Sequence, residues 1–426
     1  MLALIKKYTN EFFIGKWRNS NMKKWIIIVI AGLFLAFLMY KWNTIRYLYY
    51  EIRLIKVKRQ LFEFEKQGKA YRPAYEMLYE AQWLCNSTHD YSRMGEHVNA
   101  LEAVLKDTAN AKAQDEQSKI DGSWGKWYTE WFFKLDASYD QISQLSLKGM
   151  VPKYQVHFLD CINTPEKLTA HLNHLLISDL KADGIDRRRE LNETISDLMR
   201  LIMHDWPANY HFHPGLKTAL MDWLLNTARN PETGYWGAWY RNSKNGKIEK
   251  TDDLSITFHI VSYLNGNVPD WQKIITTTLK NKDKKYPLGW LEGGDSYTNH
   301  NNMDVVRIFQ LGWNQSSPDQ KNAMRVEIRK MLHWCLTESL KPDGSFKLQD
   351  SDDSQETSIT FGTSFLSRLG YFDKSKRFWT DEEFPEAPGV RENIIHFIRT
   401  HIHSGGEGGV YYHDTLRELN APDDQS

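Results

Sequence analysis

Residues 343–366, with the sequence DGSFKLQDSDDSQETSITFGTSFL, contain the pattern from which the fold is predicted. A polar residue and a glycine precede an aromatic residue, an acidic stretch follows, and an apolar segment with helical spacing then begins. Variants of this pattern recur at four earlier glycines: Gly122, Gly184, Gly234 and Gly289. From Gly184 to Gly234 is 50 residues, and the next two intervals, to Gly289 and to Gly344, are 55 residues each. A period of this length with two helical segments per unit predicts stacked helical hairpins.

The apolar segments that follow the glycines resemble one another. Residues 255–258 and 358–361 both read Ser-Ile-Thr-Phe, and residues 302–311 occupy the corresponding place in the repeat between them. We expect these helices to lie inside the domain and the alternating helices to lie outside. The inner set begins near Asp253, Asn302 and Thr357, and the outer set spans 216–229, 270–280 and 318–340.

The last repeat resembles one unit of the α/α toroids of terpenoid cyclases and protein prenyltransferases. The matching features are the turn Asp343-Gly344-Ser345-Phe346, the acidic loop 350–356 and the helix 357–369. The resemblance covers residues 121–412 at most, and toroidal polysaccharide lyases and glycosidases share the fold. It implies an all-α domain over residues 121–415 whose hairpins close into a ring. The N-termini of the inner helices, with their positive dipole ends, would then meet at one mouth.

Residues 25–40, WIIIVIAGLFLAFLMY, hold no charged side chain. Extended through Trp42, this stretch predicts an N-terminal transmembrane helix over residues 25–42. No small-x-small site follows it, so an uncleaved anchor is favoured over a signal peptide. We therefore expect a single-pass protein of the cytoplasmic membrane with an exported C-terminal domain. The remaining parts are a tail at 1–24, a helical stalk or first hairpins at 43–120, and a C-terminal tail at 416–426.

Composition narrows the classes of partner. Lysine plus arginine and aspartate plus glutamate both number 54, which removes the usual electrostatic argument for binding nucleic acid. The widely spaced cysteines Cys85, Cys161 and Cys335 support neither a disulfide framework nor a zinc site. His211 and His213 have no carboxylate partner at metal-ligand spacing. The expected partners are therefore the membrane, through the N-terminal helix, and a poly- or oligosaccharide, with no metal and no cofactor.

The polar starts of the predicted inner helices are the place to look for chemistry. Asp253 is expected to cap a helix, which leaves Asp252 as the freer carboxylate for acid or base work. The stretch 295–304 holds Tyr297, His300 and Asn301, which resemble the Asn, His and Tyr set of toroidal alginate-type polysaccharide lyases. In those enzymes Asn and His neutralise a uronate carboxylate and Tyr moves the proton. The order here, Asn-His-Asn-Asn, differs from the Asn-Asn-His-type run of the family, and a capped helix after an Asn-rich turn is the alternative.

The acidic loop offers a second kind of chemistry. Residues 350–354 match the Asp-x-Asp-Asp-Ser/Thr pattern of class II terpene cyclases, in which the middle Asp protonates an alkene. By that resemblance Asp352 is the acid, with Asp353 and Glu356 beside it. Because neighbouring carboxylates repel one another, the pKa of one carboxyl group in such a cluster rises, and that group can keep its proton. The alternative is a solvated acidic loop that complements a helix dipole.

Aromatic side chains accompany these loops: Tyr235, Trp236, Trp239 and Trp290, the last near Glu292. They would stack on sugar rings or cradle a carbocation, or else pack between helices.

These features together favour a membrane-anchored toroid enzyme that acts on a carbohydrate as a lyase or a hydrolase. One alternative is a class II cyclase-like, prenyl- or lipid-handling enzyme, and another is a non-catalytic scaffold that binds a glycan, a lipid or a protein. The cavity distinguishes the first two, because a cyclase needs an apolar aromatic lining and a sugar site a polar one.

Overall fold

The structure, a computed structural model, describes most of the chain beyond residue 40. The described residues are 32, 41, 42, 44–61, 63, 64, 72–88, 90–106, 116–293, 296–348, 355–401 and 415–419. Over these residues the chain is mostly helical, which confirms the predicted all-α class.

The predicted membrane anchor requires a correction. A membrane-spanning helix needs roughly 20 consecutive apolar residues. Within the part of the chain that the structure describes, no helix is both long enough and apolar enough to cross a membrane. The predicted localisation, a single-pass protein of the cytoplasmic membrane with an exported domain, is wrong on this finding. Of the segment 25–42 itself, only Gly32, Lys41 and Trp42 lie among the described residues.

The helices follow one another in two groups. The first group comprises α1 (44–61), α2 (Arg72–Trp83), which a π-helical turn at Leu84–Thr88 extends, and α3 (Tyr91–Lys106). The repeat region comprises α4 (Trp131–Leu147), α5 (Pro165–Leu176), α6 (Arg188–His204), α7 (Leu216–Asp222), α8 (Leu254–Tyr263), α9 (Trp271–Lys280), α10 (Asn299–Gly312), α11 (Pro318–Trp334), α12 (Gln355–Arg368) and α13 (Ala387–His401). Further π-helical turns at Trp223–Ala228 and Cys335–Ser339 extend α7 and α11, and short 3₁₀ turns lie at His157–Leu159, Trp313–Gln315 and Lys374–Lys376.

Alternate helices of the repeat region form two rows. In the core row, α4, α6, α8, α10 and α12 pack against one another in that order. In the flanking row, α5 packs against α7 and α9 packs against α11, and each pair also contacts the core row, at α6 and at α10 respectively. The helices predicted to lie inside, α8, α10 and α12, belong to the core row, and those predicted to lie outside, α7, α9 and α11, belong to the flanking row.

Hydrogen bonds join residues that lie one repeat apart in the sequence. Examples are His213 N to Asn163 Oδ1 (2.9 Å), Trp223 Nε1 to Asn173 Oδ1 (2.8 Å), Arg325 Nε to the Trp379 carbonyl (2.8 Å) and the pair of hydroxyls of Thr360 and Thr415 (3.2 Å). Sequence separations of 50 to 55 residues in these bonds agree with the period read from the glycines. Residues 415–419 thereby lie beside α12, in the next position of the core row.

The turns and caps that begin the core row follow from local sequence. Asp253 is the N-cap of α8 and accepts a hydrogen bond from Ile256 N, as predicted. Thr298 caps α10 in the same way. Gly344 has a φ of 89°, and a Cβ there would lie 2.2 Å from the Asn393 carbonyl oxygen, so both the backbone angle and the space require glycine.

A small sheet lies beside the starts of α6 and α8. It consists of β1 (Ile177–Ser178), β2 (Trp239–Arg241) and β3 (Ile248–Lys250), with β1 parallel to β2 and β2 antiparallel to β3. Ser178 Oγ accepts from Arg187 N at 3.0 Å, and Tyr240 donates to Asp186 at 3.0 Å. The sheet thus fixes the entry of the chain into α6.

Candidate functional site

One face of α6 carries charged side chains where a buried helix usually carries apolar ones. Glu190, Glu193, Asp197 and Arg200 recur every three or four residues and therefore share one face. The opposite side of α6 is apolar and buried in the main core. Because α6 packs between α4 and α8, this polar face is directed toward its core-row neighbours rather than away from the protein.

The neighbouring core-row helices contribute matching polar side chains. We call the resulting set the polar interior: Asp136 and Tyr139 of α4, Glu193, Asp197 and Arg200 of α6, His259 and Tyr263 of α8, His300, Asp304 and Arg307 of α10, and Arg368 of α12. Contacts join them from helix to helix. The Arg200 guanidinium carbon lies 3.6 Å from the ring centre of Tyr139 and 5.1 Å from that of Tyr263. His259 Nδ1 lies 3.1 Å from the Tyr263 hydroxyl.

Three carboxyl groups crowd together at the α4 end of this set. Arg200 donates a short hydrogen bond to Asp197, which is fully buried. Burial raises the pKa of Asp197 well above its usual range, and the nearby Asp136 and Glu193 add to the rise while Arg200 opposes it. Burial also raises the pKa of Asp136, against the effect of Arg200 and Arg189. Burial and then Asp136 raise the pKa of Glu193.

The two imidazoles of the polar interior are neutral near pH 7. Burial, followed by the positive charge of Arg200, lowers the pKa of His259 to about 3. Burial lowers the pKa of His300 to about 4. The His300 side chain nevertheless keeps 38% of its surface accessible. It is surrounded by protein yet open to solvent, so we interpret its position as the wall of a recess.

Asp304 lies behind His300 on the same face of α10. Its Oδ2 is 4.0 Å from His300 Nε2 and accepts a hydrogen bond from the Tyr286 hydroxyl at 3.3 Å. Burial raises the pKa of Asp304 well above its usual range. The Phe361 ring of α12 closes the other side of His300, with ring centres 4.3 Å apart. This group places a neutral imidazole beside a carboxyl that is hydrogen-bonded to a phenol, without a direct hydrogen bond between the imidazole and the carboxyl.

The structure separates the residues predicted in the 295–304 stretch. His300 belongs to the polar interior. Asn301 is buried on another side of α10, where its Nδ2 donates to the Trp290 carbonyl at 2.9 Å. Tyr297 precedes the helix and lies near Trp334 of the flanking helix α11, with ring centres 6.1 Å apart. These three side chains therefore do not converge on one point.

The predicted acidic residues are also dispersed. Asp252 is half-buried and accepts a hydrogen bond from Thr233 Oγ1 at 2.6 Å. Glu356 is half-buried in the first turn of α12, and Glu292 is exposed. Asp352 and Asp353 lie outside the described residues.

Three of the four predicted aromatic ligand contacts are core residues. Tyr235 donates to Thr278 Oγ1 at 2.7 Å and Trp236 to the Leu224 carbonyl at 2.7 Å, and both are about 1% exposed. Trp290 is fully buried edge-on to Phe309. Trp239, in β2, is half-buried and lies under the Lys250 ammonium, 4.2 Å from its ring centre. Trp239 is therefore the aromatic residue of this set that remains accessible near the start of α8.

Sequence reasoning identified His300 and missed the other ten members of the polar interior: Asp136, Tyr139, Glu193, Asp197, Arg200, His259, Tyr263, Asp304, Arg307 and Arg368. A signal was present in the spacing, since Glu193 with Asp197, His259 with Tyr263 and His300 with Asp304 are each four residues apart. This spacing places each pair on one face of its helix, but it does not show whether that face points inward or to solvent.

Among the described residues, no group of three or more His, Cys, Asp or Glu side chains is arranged to hold a metal ion. Compared with known protein families, with curated proteins and with solved structures, the chain has no significant match.

Proposed function

We propose that this protein hydrolyses glycosidic bonds in an oligo- or polysaccharide, with Glu193 as the general acid and Asp136 as its partner carboxylate. The proposal rests on the placement of these two carboxyl groups on the packed helices α4 and α6, near enough for the charge of Asp136 to raise the pKa of Glu193. The Glu193 side chain is 35% exposed, and Asp136 is half-buried. Glycosidic cleavage needs such a pair, one carboxyl protonated and the other ionised.

The charges around the pair support this division of roles. Asp136, Glu193 and Asp197 are three carboxyl groups near the guanidinium groups of Arg189 and Arg200. A third guanidinium group near Glu193, that of Arg188, is already paired with Asp253. If one of the three carboxyl groups keeps its proton, the two ionised carboxylates still balance the two positive charges of Arg189 and Arg200. Asp197 is inaccessible and ion-paired with Arg200, and the charge of Asp136 raises the pKa of Glu193, so we assign the proton to Glu193. A protonated acid would protonate the leaving oxygen, while ionised Asp136 would act as base or nucleophile.

The lining of the recess supports a sugar substrate over a terpenoid. A cyclase needs an apolar cavity for a carbocation, whereas the core row directs carboxyl, guanidinium and imidazole groups inward. In this proposal the core row curves into the inner ring of an α/α toroid, and the acid pair lies within that ring.

The test is hydrolysis of a panel of neutral and acidic polysaccharides, measured as new reducing ends. We expect Glu193→Gln to lower kcat by about a hundredfold or more, because proton donation to the leaving group is lost. The thermal midpoint should stay close to that of the wild type, because glutamine has nearly the same shape as glutamate and this side chain is partly exposed to solvent. The matched control is Glu392→Gln, whose carboxylate on α13 is 68% exposed; its activity should be unchanged.

Two outcomes would overturn the proposal. Full activity of Glu193→Gln would remove Glu193 from the mechanism. Products that carry an unsaturated uronate, detected by their ultraviolet absorbance, would identify a lyase and exclude hydrolysis.

A further inference from the structure

Arg307 and Arg368 form a pair of like charges at the end of the polar interior opposite the starts of the core helices. Arg307 lies two turns after His300 on the same face of α10, and Arg368 is the last residue of α12, which packs against α10. Gln310 connects them, because its Oε1 accepts from Arg307 Nη1 at 2.8 Å and its Nε2 donates to the Arg368 carbonyl at 3.4 Å. Gln310 thus holds the Arg307 guanidinium beside the end of α12, where Arg368 lies.

These arginines have no anionic partner among the described residues. The Nε atom of each is buried and forms no hydrogen bond there, although both residues keep part of their surface accessible. The charge of Arg368 acts to lower the pKa of Asp304, but no ion pair joins the two side chains, and Asp304 Oδ2 accepts a hydrogen bond from Tyr286. Burial and then the charge of Arg368 lower the pKa of Arg307 to about 10. Two adjacent guanidinium groups with unused donors are unfavourable unless an anion binds between them.

We propose that Arg307 and Arg368 bind the carboxylate group of a uronate unit in the glycan substrate. Guanidinium groups present planar forks of N–H donors that match such oxyanions in bidentate geometry. Arg307 lies on the same face of α10 as His300 and Asp304, and Arg368 lies two turns after Phe361 on α12, so a ligand held by the pair would lie at the end of the polar interior. This inference rests on the proposed glycosidase function, and it specifies the substrate as an acidic rather than a neutral glycan.

The test measures equilibrium binding by titration calorimetry with three probes: glucuronate, glucose and inorganic sulfate. None of the three contains a glycosidic bond, so the titration measures binding without hydrolysis. We expect the wild type to bind glucuronate about tenfold or more tightly than glucose, and more tightly than sulfate. Arg307→Gln and Arg368→Gln should each weaken glucuronate binding about tenfold or more, because a charge-assisted hydrogen bond is lost. The matched control is Arg329→Gln on α11, where the arginine is 51% exposed and paired with Glu382; it should bind as the wild type does.

Each opposing result has a distinct meaning. Absence of glucuronate binding to the wild type, or unchanged binding in both variants, would overturn the site. Sulfate binding as tight as that of glucuronate would assign the pair to a free inorganic anion and overturn the substrate assignment. Hydrolysis of neutral glycans without glucuronate binding would remove this inference and leave the proposed function. Glucuronate binding that the two arginines control, with no polysaccharide cleaved, would remove the proposed function and leave the site.

Discussion

At the residue scale, the polar interior holds groups that a helical core would ordinarily exclude. Asp197 is fully inaccessible, and its Oδ2 has no hydrogen-bond partner among the described residues. An unsatisfied buried oxygen costs about 1–3 kcal/mol. Asp304 presents the same situation at Oδ1. Since apolar side chains at these positions would pack without that cost, we interpret the stripes as functional rather than structural.

The buried His259 makes the stability of the folded protein depend on pH. Around it lie Arg200, Arg188 and His300, and Tyr263 bonds its Nδ1. The folded protein keeps the imidazole neutral down to about pH 3, whereas the unfolded chain protonates it below about pH 6.5. Between these values the unfolded state binds the extra proton, so His259 lowers stability as the pH falls.

We expect acid to destabilise the wild type more than the variant His259→Gln, which cannot be protonated. Between about pH 7 and about pH 4, the free energy of unfolding should fall by on the order of 2 kcal/mol more in the wild type, after allowance for partial solvent access. His300 titrates in the same range but is present in both proteins and cancels. Urea denaturation at the two pH values measures the difference. Parallel loss of stability in the two proteins would show that His259 is protonated in the folded state.

At the scale of the helix, close packing of the core row depends on small residues at particular places. Gly362 lies within α12, and a Cβ built there would be 2.5 Å from Cδ1 and from Cε1 of Phe346. Phe346 is fully buried and cannot move aside without disturbing the core. The glycine therefore allows α12 to lie directly against the aromatic residue of its own Gly-Ser-Phe turn.

Alanine substitutions at two helical glycines should consequently have opposite effects. Alanine favours a helix interior over glycine by about 1 kcal/mol. At Gly389 of α13, where a Cβ meets nothing within 4 Å, we expect Gly389→Ala to be neutral or stabilising by up to about that amount. At Gly362 the steric overlap should dominate, and Gly362→Ala should destabilise by about 1–3 kcal/mol. Chemical denaturation of both variants checks this, and a stabilised Gly362→Ala would contradict the packing described here.

Elements were more predictable than side-chain directions. The glycine period, the cap at Asp253 and the alternation of the two rows follow from spacing and local hydrogen bonding. The directions of the His300 and Asn301 side chains did not follow from the spacing. Successive residues in a helix point about 100° apart, so these two cannot both face one site. The polar stripe of α6 was missed for a related reason. A strongly amphipathic helix ordinarily directs its charged face to solvent, and only the packing of α6 between α4 and α8 makes that face an interior one.

At the scale of the whole molecule, the N-terminal helices and the repeat region share a boundary. A second hydrophobic cluster, formed by α1, α2 and α3, includes Phe132 and Phe133 from α4. Tyr128 and Trp131 pack against both this cluster and the main core. The first helix of the core row, which supplies Asp136, is therefore supported on one side by helices that are not part of the repeat.

Glu80 is the polar counterpart of that boundary. Its side chain on α2 is fully buried. One carboxylate oxygen accepts from Thr129 Oγ1 at 2.6 Å and from Glu130 N at 2.8 Å, just before α4 begins. The other oxygen lies 3.1 Å from His97 Nε2 of α3. Burial opposes the charge on Glu80, but these hydrogen bonds outweigh it and lower the pKa of its carboxyl. One side chain thus joins α2, α3 and the start of α4.

Removing this carboxylate should loosen the start of the core row. Glu80→Ala leaves His97 and the donors of Thr129 and Glu130 without their partner, and we expect a loss of about 3–5 kcal/mol in the free energy of unfolding. Glu80→Gln keeps one acceptor oxygen and should lose less. Because the contact lies at the first turn of α4, amide exchange at Thr129 and Glu130 should accelerate more than exchange in α10, which lies far along the row. Unchanged stability in Glu80→Ala, or exchange that rises equally in α4 and α10, would mean that the N-terminal helices do not hold the core row in place through Glu80.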